Sequence, residues 1–235
     1  MNQSKGVNFY YIRSSIAYRM EGTLFIFAES LISFIPMSLH FSENYILEND
    51  RVMLRPLKLA DFENLLPFSI HEPEIWTYSL VHAIGEEGLK NYLQLAIDAR
   101  KSGKEYPFIV FDKRTKQYAG STRFYDIQPA NQCLQLGFTW YGKQFQGTGL
   151  NKHCKLLLLT LAFEQLEMQR VEFRADSNNK KSIFAMKSIG CTIEGILRSN
   201  GIRTDGTRRD SIVLSILKNE WEGGLKAALV SKLID

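Results

Sequence analysis

Two spacings of apolar residues, alternation and a helical repeat, organise the chain from Leu47 onward. Alternate residues are apolar from Arg51, which predicts a strand that Pro56 ends. Over 86–101 apolar residues recur at helical spacing, and Ser102 with the following glycine ends that helix. The predicted elements are, in chain order, a strand over 47–55, helices over 61–71 and 86–101, strands over 106–111, 118–127 and 134–140, a helix over 149–168, a strand over 170–175, a helix over 179–189, and a hairpin of strands over 192–197 and 211–217.

The order of these elements indicates the fold class. Short polar turns separate the three consecutive strands, which therefore form an antiparallel meander. The helix over 149–168 is apolar around much of its surface and is expected to lie in the core. The pattern predicts an α+β (mixed α/β) protein whose central mixed, mostly antiparallel sheet has about seven strands and is flanked by helices.

The composition is that of a globular protein. Of 235 residues, 45% are hydrophobic and 23% are charged, which is enough for one buried domain plus an extension. The net charge of +4 is too small to indicate a nucleic-acid partner. We place the domain at 47–221, with an amino-terminal extension over 1–46 and a helical tail over 222–235.

The apolar run over 20–36 allows more than one interpretation. It follows basic residues, as a signal sequence does, but Glu21 and Glu29 interrupt it. It is also shorter than the roughly 20 apolar residues of a membrane span. The alternatives are an export signal or anchor, a weakly folded extension, or a start-site artefact with synthesis beginning at Met37. The remaining sequence favours a cytoplasmic protein without a membrane partner.

The cysteines do not indicate disulfides or a metal site. Cys133, Cys154 and Cys191 are widely spaced, odd in number and surrounded by apolar residues, with no clustered histidine. We expect all three to be reduced and buried, and we expect no bound metal.

The sequence QFQGTG over 144–149 lies between a predicted strand and the long helix. The first backbone N–H groups of a helix have no partner within it, and glycines let a phosphate approach the backbone closely. This turn therefore has the chemistry to bind a pyrophosphate, with Gln144 and Gln146 as possible side-chain donors. An ordinary turn that uses glycine for its backbone angles is the alternative.

Several polar motifs follow that turn in a fixed order. They are N-x-x-S at Asn179 and Ser182, I-G at Gly190, E-G-I-L-R over 194–198, and D-G-T-R-R-D over 205–210. Together with Q-x-x-G-x-G, the set resembles the GNAT superfamily of N-acetyltransferases, in the branch of the ribosomal-protein-alanine N-acetyltransferases. The resemblance covers roughly three quarters of the chain.

The resemblance implies a GNAT-like fold, acetyl-CoA as co-substrate, and a splayed strand pair, 134–140 against 170–175, at the coenzyme site. Asn179 and Ser182 would lie near the pantetheine arm, although helix capping alone also explains both. The residues that the resemblance places at the coenzyme are Phe138, Thr139, Trp140, Gln144, Gln146, Gly147, Thr148, Gly149, Leu150, Asn179 and Ser182.

Two positions depart from the family pattern. Many GNAT enzymes have a tyrosine acid seven residues after the motif Asn179, where this chain has Met186. A glutamate base often precedes the G-[FY] pair, where this chain has Gln135. Neither replacement can transfer a proton at neutral pH. By resemblance, the catalytic candidate is Ser182, as a hydrogen-bond donor to the leaving sulfur.

Residues that could contact the acceptor fall in two segments. Trp76, Tyr78 and His82 lie between the first two helices and could wall a substrate groove, with core packing as the alternative. Four arginines of the late hairpin could attract an acidic acceptor, with a solvated basic hairpin as the alternative. These are Arg198, Arg203, Arg208 and Arg209.

The sequence thus predicts an N-acetyltransferase that moves acetyl from acetyl-CoA to a primary amine in a ternary complex. The acceptor is a protein amino terminus or a small-molecule amine, and the enzyme is a monomer or a homodimer. A non-catalytic acyl-CoA sensor or interaction module is the alternative, because both proton-transferring residues are replaced.

Overall fold

The computed structural model describes residues 19–20, 23–24, 39–203 and 205–233. Two short strands, β1 (Arg19–Met20) and β2 (Thr23–Leu24), pair antiparallel. Most of the predicted extension over 1–46, including most of the apolar run over 20–36, lies outside the described residues.

The remaining elements follow the predicted order. They are, along the chain, β3 (Leu47–Glu48), β4 (Val52–Pro56), α1 (Phe62–His71), α2 (Gly85–Lys101), β5 (Tyr106–Asp112), β6 (Gln117–Gln128), β7 (Cys133–Tyr141), α3 (Leu150–Thr160), β8 (Arg170–Asp176), α4 (Lys180–Ser188), β9 (Thr192–Ile202), β10 (Arg208–Leu217), α5 (Lys218–Glu220) and α6 (Lys226–Ser231). Each predicted strand and helix is thereby found, and the arms of the late hairpin are longer than expected.

One mixed sheet of eight strands forms the centre of the domain, in the order β3-β4-β5-β6-β7-β8-β10-β9. All neighbours are antiparallel except β7 and β8, which are parallel. The mixed, mostly antiparallel sheet is confirmed, with one strand more than expected. The predicted first strand over 47–55 is in fact two, because Asn49 Oδ1 accepts hydrogen bonds from the N–H groups of Arg51 and Val52 at 3.0 Å and turns the chain.

The central helix α3 packs into the core as predicted but ends differently. It continues as one π-helical turn, Leu161–Gln165, closed by a hydrogen bond of 2.9 Å from Leu166 N–H to Leu161 C=O. Glu167 then has a φ of 55°, which is incompatible with a right-handed helix. The predicted helix over 149–168 is therefore shorter at its carboxyl end.

Strands β7 and β8 pair only at their beginnings, where Cys133, Leu134 and Gln135 lie opposite 170–172. Beyond these residues the two strands continue without pairing to each other, β7 to Tyr141 and β8 to Asp176. A gap therefore opens between two adjacent strands of the sheet, and the backbone groups that border it are left without sheet partners.

The segments at both ends of the domain pack onto its core. Leu39 is buried, and Tyr45 stacks edge-on against Tyr106 at 5.4 Å. In the tail, Trp221 is buried and lies 5.6 Å from Phe163. The limits 47–221 remain a prediction. Across the described residues, no helix has the length and apolar character needed to cross a membrane.

The cysteines correct one expectation. All three are free thiols, and Cys154 and Cys191 are buried as predicted. Cys133 is only partly buried, because it begins β7 at the rim of the sheet, where its Sγ lies 3.0 Å from Asn131 C=O.

Candidate active site

The turn between β7 and α3 is an open main-chain cradle. Gly147 and Gly149 have φ angles of 75° and 83°, which other residues rarely adopt. A Cβ at either position would meet no atom within 4 Å, so space adjoins both glycines. No side chain caps α3 at Gly149, and within the described residues the N–H groups of Gly147 to Leu150 make no hydrogen bond. Donors and helix dipole together form a site for an anion.

The polar side chains of the turn are occupied in holding its shape. Gln144 Nε2 donates to Gln117 Oε1 at 3.0 Å, and Gln146 Nε2 donates to Tyr141 C=O at 2.9 Å. Thr148 Oγ1 donates to Phe145 C=O at 2.8 Å. Each glutamine amide has a second N–H group, so ligand donation by Gln144 and Gln146 remains a prediction beside the main-chain donors.

A cavity of about 240 Å³ adjoins the cradle. Besides the turn, its lining includes Lys152, His153 and Lys232. The ammonium groups of both lysines place positive charge beside the main-chain donors, which favours a polyanion such as the phosphates of coenzyme A. Sequence reasoning missed Lys232 because it lies in the tail, and only the fold brings the tail to the turn.

A bulge in β7 lies beside the gap between β7 and β8. Phe138 has a φ of 48°, and the register of β7 against β6 shifts at this point. The guanidinium of Arg123 lies 4.2 Å from the centre of the Phe138 ring, and Tyr125 packs edge-on against that ring at 5.0 Å. The Tyr125 ring also lies against Gly137, where a Cβ would be 2.9 Å from it. Burial raises the pKa of Tyr125 to about 12, so it carries its proton at neutral pH.

A buried lysine spans the gap on the side of α3. Lys155 Nζ donates to Thr139 Oγ1 on β7 at 2.9 Å and lies 5.8 Å from the centre of the Phe173 ring on β8. Burial lowers the pKa of Lys155 to about 8. Sequence reasoning missed this residue, although a lysine in the apolar face of a core helix was a visible signal.

Helix α4 begins beside β8 and carries the N-x-x-S motif. Asn179 caps it, since Asn179 Oδ1 accepts a hydrogen bond of 3.0 Å from Ser182 N–H. Ser182 is partly buried, and one turn later Met186 is buried. Capping, one of the two interpretations of Asn179, is therefore present in the structure.

We expect Asn179→Ala to lower the free energy of unfolding by about 1 kcal/mol, because a helix loses its capping acceptor. Chemical denaturation measures this change. Asn179→Asp keeps an acceptor and serves as the matched control, with stability close to that of the parent. A large loss of coenzyme affinity in Asn179→Ala without loss of stability would contradict capping as the main role.

The predicted aromatic wall divides between core and surface. Trp76 is fully buried and packs against Trp140 with ring centres 5.0 Å apart and the rings tilted by 58°. Tyr92 OH accepts a hydrogen bond of 3.2 Å from Trp140 Nε1. Core packing thus accounts for Trp76. Tyr78 is exposed and His82 is partly buried, so these two remain near the surface.

The four hairpin arginines are not equivalent. Arg198 and Arg208 are exposed, as expected for a solvated hairpin, and Arg203 pairs with Asp176 at 2.8 Å. Arg209 departs from that expectation because it is buried, with 6% exposure. Its Nη1 donates to Tyr78 C=O at 3.4 Å. This hydrogen bond connects the late hairpin to the segment between the first two helices, the two segments that were predicted to contact the acceptor.

Gln135 lies where many members of the family that the sequence resembles have a glutamate base. Gln135 is buried, and its Nε2 donates to Asp126 Oδ2 at 2.6 Å while its Oε1 has no partner. Glu172 lies directly opposite Gln135 on β8, but its carboxylate accepts from Arg170 at 2.8 Å and from Arg174 at 2.6 Å. Both oxygens of Glu172 are engaged with arginines, so this carboxylate is poorly suited to replace the glutamate base.

An anion cradle at the start of a central helix, beside a gap between two strands, is the arrangement of a coenzyme A-dependent acetyltransferase. Residues 51–192 match the family described as "Acetyltransferase (GNAT) domain", which is more than half of the chain. The chain therefore belongs to the GNAT acetyltransferase family, and it is an acetyl-CoA-dependent acyltransferase.

Individual relatives agree with this assignment. YdaF of Bacillus subtilis, which is named as a ribosomal N-acetyltransferase, is 35% identical over 104 residues, and the match covers 44% of this chain and 56% of YdaF. The N-acetyltransferase p20 of Bacillus licheniformis is 25% identical over 75% of this chain and 98% of its own length. The crystal structure of a GCN5-related N-acetyltransferase from Brucella melitensis superposes with a TM-score of 0.75 at 26% identity, covering 83% of this chain and 87% of that one.

Proposed function

We propose that this enzyme transfers the acetyl group of acetyl-CoA to a primary amine, which attacks the thioester directly within a ternary complex. The open main-chain cradle at Gly147 and Gly149, beside the gap between β7 and β8, is the observation that supports this proposal most strongly. In this proposal the cradle would bind the pyrophosphate, and the gap would receive the arm that carries the thioester.

The donor would be held by groups along one continuous path. N–H groups of Gly147 to Leu150 would bind the pyrophosphate, and Lys152 and Lys232 would attract the phosphates. Unpaired main-chain groups of Phe138, Thr139 and Trp140 would bind the pantetheine amides, as the family resemblance implies. Phe138 lies at the bulge, in the part of β7 that does not pair with β8.

The reaction requires an uncharged amine. Its nitrogen forms a bond to the carbonyl carbon, the carbon–sulfur bond breaks, the nitrogen loses a proton and the sulfur gains one. A free α-amine with a pKa near 7.7 to 8.0 is uncharged in roughly one molecule in ten at pH 7, whereas a lysine side chain is uncharged in fewer than about one in a thousand. An α-amine therefore suits a site in which Gln135 replaces the glutamate base.

The buried thiols support direct transfer over a route through an acetylated cysteine. Burial raises the pKa of both Cys154 and Cys191 to about 12, so neither is a thiolate at neutral pH. Because only the thiolate is a good nucleophile, these two cysteines are poorly suited to carry the acetyl group.

Ser182 is our candidate for the hydrogen bond to the leaving sulfur, since Met186 cannot donate one. We expect Ser182→Ala to lower kcat by about tenfold, the value of one hydrogen bond to a charged group. The dissociation constant of coenzyme A should change by less than about threefold, because the pyrophosphate site is intact. Steady-state kinetics and calorimetry separate these quantities.

Ser182→Thr keeps a hydroxyl and is the matched control, with kcat near that of the parent. Equal kcat values for Ser182→Ala and the parent, with chemistry rate-limiting, would remove Ser182 from the mechanism. A loss of affinity without loss of kcat would instead place Ser182 in donor binding.

The acceptor is a protein amino terminus or a small-molecule amine. The name of YdaF, a ribosomal N-acetyltransferase, favours a protein amino terminus. A cytoplasmic location and a monomeric or homodimeric state remain part of the proposal.

Thiol release from acetyl-CoA, measured over a panel of peptides and small amines, tests the proposed transfer. We expect turnover above the rate without acceptor for at least one amine. Tight binding of acetyl-CoA with no turnover across the panel would instead support a non-catalytic sensor. This is the alternative because Gln135 and Met186 replace the usual proton-transferring residues. No binding by folded protein would defeat the donor site itself.

A further inference from the structure

Arg209, on β10, is a buried guanidinium without an anionic partner. It is 6% exposed, and its Nε is buried and has no hydrogen-bond partner among the residues that the structure describes. Within the same residues, its side chain makes one long hydrogen bond, from Nη1 to Tyr78 C=O at 3.4 Å. A buried charge is costly unless it is paired, and the burial of Arg209 lowers its pKa accordingly. An arginine in this state is suited to an anion supplied from outside.

No carboxylate among the described residues forms an ion pair with Arg209. The charge of Asp176 reaches it, but the Asp176 carboxylate is already paired with Arg203 at 2.8 Å. The unpaired edge of the Arg209 guanidinium is the one that carries Nε and Nη2. Its two parallel N–H groups match the two oxygens of a carboxylate, which reaches the buried Nε once the side chains that cover it move aside.

Tyr125 connects this edge to the reacting centre. The register of the sheet brings Arg209 to the open end of the gap, because Ser211, two residues further along β10, pairs with Asp176, where β8 ends. Tyr125 and Arg209 each feel the charge of the other, and the Tyr125 ring packs against Gly137 and Phe138 at the bulge. A molecule bound along Tyr125 would therefore have one end at Arg209 and the other at the gap. Tyr78 and Leu80 border the same region. Tyr78 C=O accepts the hydrogen bond from Arg209, and Leu80 and Arg209 both lie beside Gly201.

We infer that the acceptor amine carries a carboxylate, which Arg209 binds side-on while the amine lies at the bulge of β7. The inference rests on the proposed acetyl transfer and names the class of its acceptor. Two sources share this chemistry, a small amino acid and a peptide amino terminus followed by an acidic residue. Arg209 is thereby the residue that determines acceptor specificity.

Two matched pairs of acceptors test the inference. The small pair is glutamic acid α-amide and glutaminamide, and the peptide pair is Ser-Glu-Ala and Ser-Gln-Ala with amidated carboxyl ends. Members of each pair differ in one carboxylate and share their amine. We expect kcat/KM to favour the acidic member of at least one pair by about tenfold or more, from a charge-assisted contact. The pair that shows the preference identifies the source.

Arg209→Gln should abolish that preference, mainly through a higher KM for the acidic member. Arg198→Gln removes one charge from an exposed position of the same hairpin and should retain the preference. The melting temperature of Arg209→Gln should be unchanged or higher, because an unpaired buried charge is lost. Arg209→Lys keeps the positive charge but lacks the two parallel N–H groups of a guanidinium, so it should retain only part of the preference.

Measurable turnover without a preference in either pair would overturn the inference and leave acetyl transfer intact. If no amine is turned over, the proposed function fails, and calorimetry of the same amines with the coenzyme A complex decides the inference. Binding of an acidic member that Arg209→Gln loses would support it. Equal binding within both pairs, or none, would overturn it.

Discussion

Gly149→Asp is expected to weaken coenzyme A binding by at least about 100-fold, the largest loss for any single change at the donor site. Aspartate tolerates the left-handed angles of Gly149, φ 83°, better than most residues, so the turn should keep its shape. Its carboxylate would then occupy the open space where the pyrophosphate is expected. A negative charge about 4 Å from another costs several kcal/mol in a partly buried site.

Gly149→Asn is the matched control, since asparagine has the same size and a similar tolerance of left-handed angles. It should weaken binding much less than Gly149→Asp, and the difference between the two variants isolates the charge effect. Calorimetry at several salt concentrations measures both, and the difference should shrink as salt screens the repulsion. Equal affinities in the two variants would show that no phosphate lies beside Gly149.

Lys155→Met is expected to stabilise the protein by about 3 kcal/mol at pH 7. The pKa of Lys155 is lowered from 10.5 to about 8 by burial, and each unit of difference corresponds to about 1.4 kcal/mol. Methionine has a similar length and no charge to desolvate. The parent therefore carries a cost at neutral pH that the variant lacks.

The pH dependence of this difference has a definite direction. Below pH 8, Lys155 is protonated in both the folded and the unfolded protein, and the cost is complete. Between pH 8 and 10.5 the folded protein has released the proton while the unfolded chain retains it, so the parent gains stability as pH rises. The advantage of Lys155→Met should therefore shrink over this range and vanish above it. Chemical denaturation measures it, and a difference that stays constant from pH 7 to 10.5 would contradict a buried ammonium.

The fold could be predicted from sequence because it depends on local signals. Alternation, helical spacing and turn residues defined each element, and the order of elements restricted the sheet. The error over 47–55 has a local cause. Asn49 turns the chain through two hydrogen bonds from its side chain, which a pattern of apolar residues does not reveal. The early end of the central helix, at Gln165, likewise depends on backbone angles rather than on apolar spacing.

The candidate site could be predicted from the sequence only where residues adjacent in the sequence form it. The cradle is one continuous segment, so its glycines could be recognised directly. Lys232 reaches the same cavity from the tail, and Tyr125 reaches the bulge from β6, and both depend on tertiary structure. Arg209 shows the same limitation most clearly. Its sequence neighbour Arg208 is exposed, and only the packing of the hairpin against Tyr78 buries Arg209.

The positions that would identify a conventional acid and base are those that differ in this chain. Met186 is buried, and Gln135 directs its amide to Asp126. Neither side chain carries an ionisable group, so the enzyme would depend on an acceptor that is itself uncharged. This favours α-amines, and it agrees with an acceptor that Arg209 orients through a carboxylate.

Amide hydrogen exchange with and without coenzyme A tests whether the main-chain N–H groups of the cradle bind the pyrophosphate. We predict that coenzyme A slows exchange most strongly at 147–150, with further protection along β7 at 138–140. Saturating coenzyme A that leaves exchange at 147–150 unchanged while protecting another surface would contradict the account.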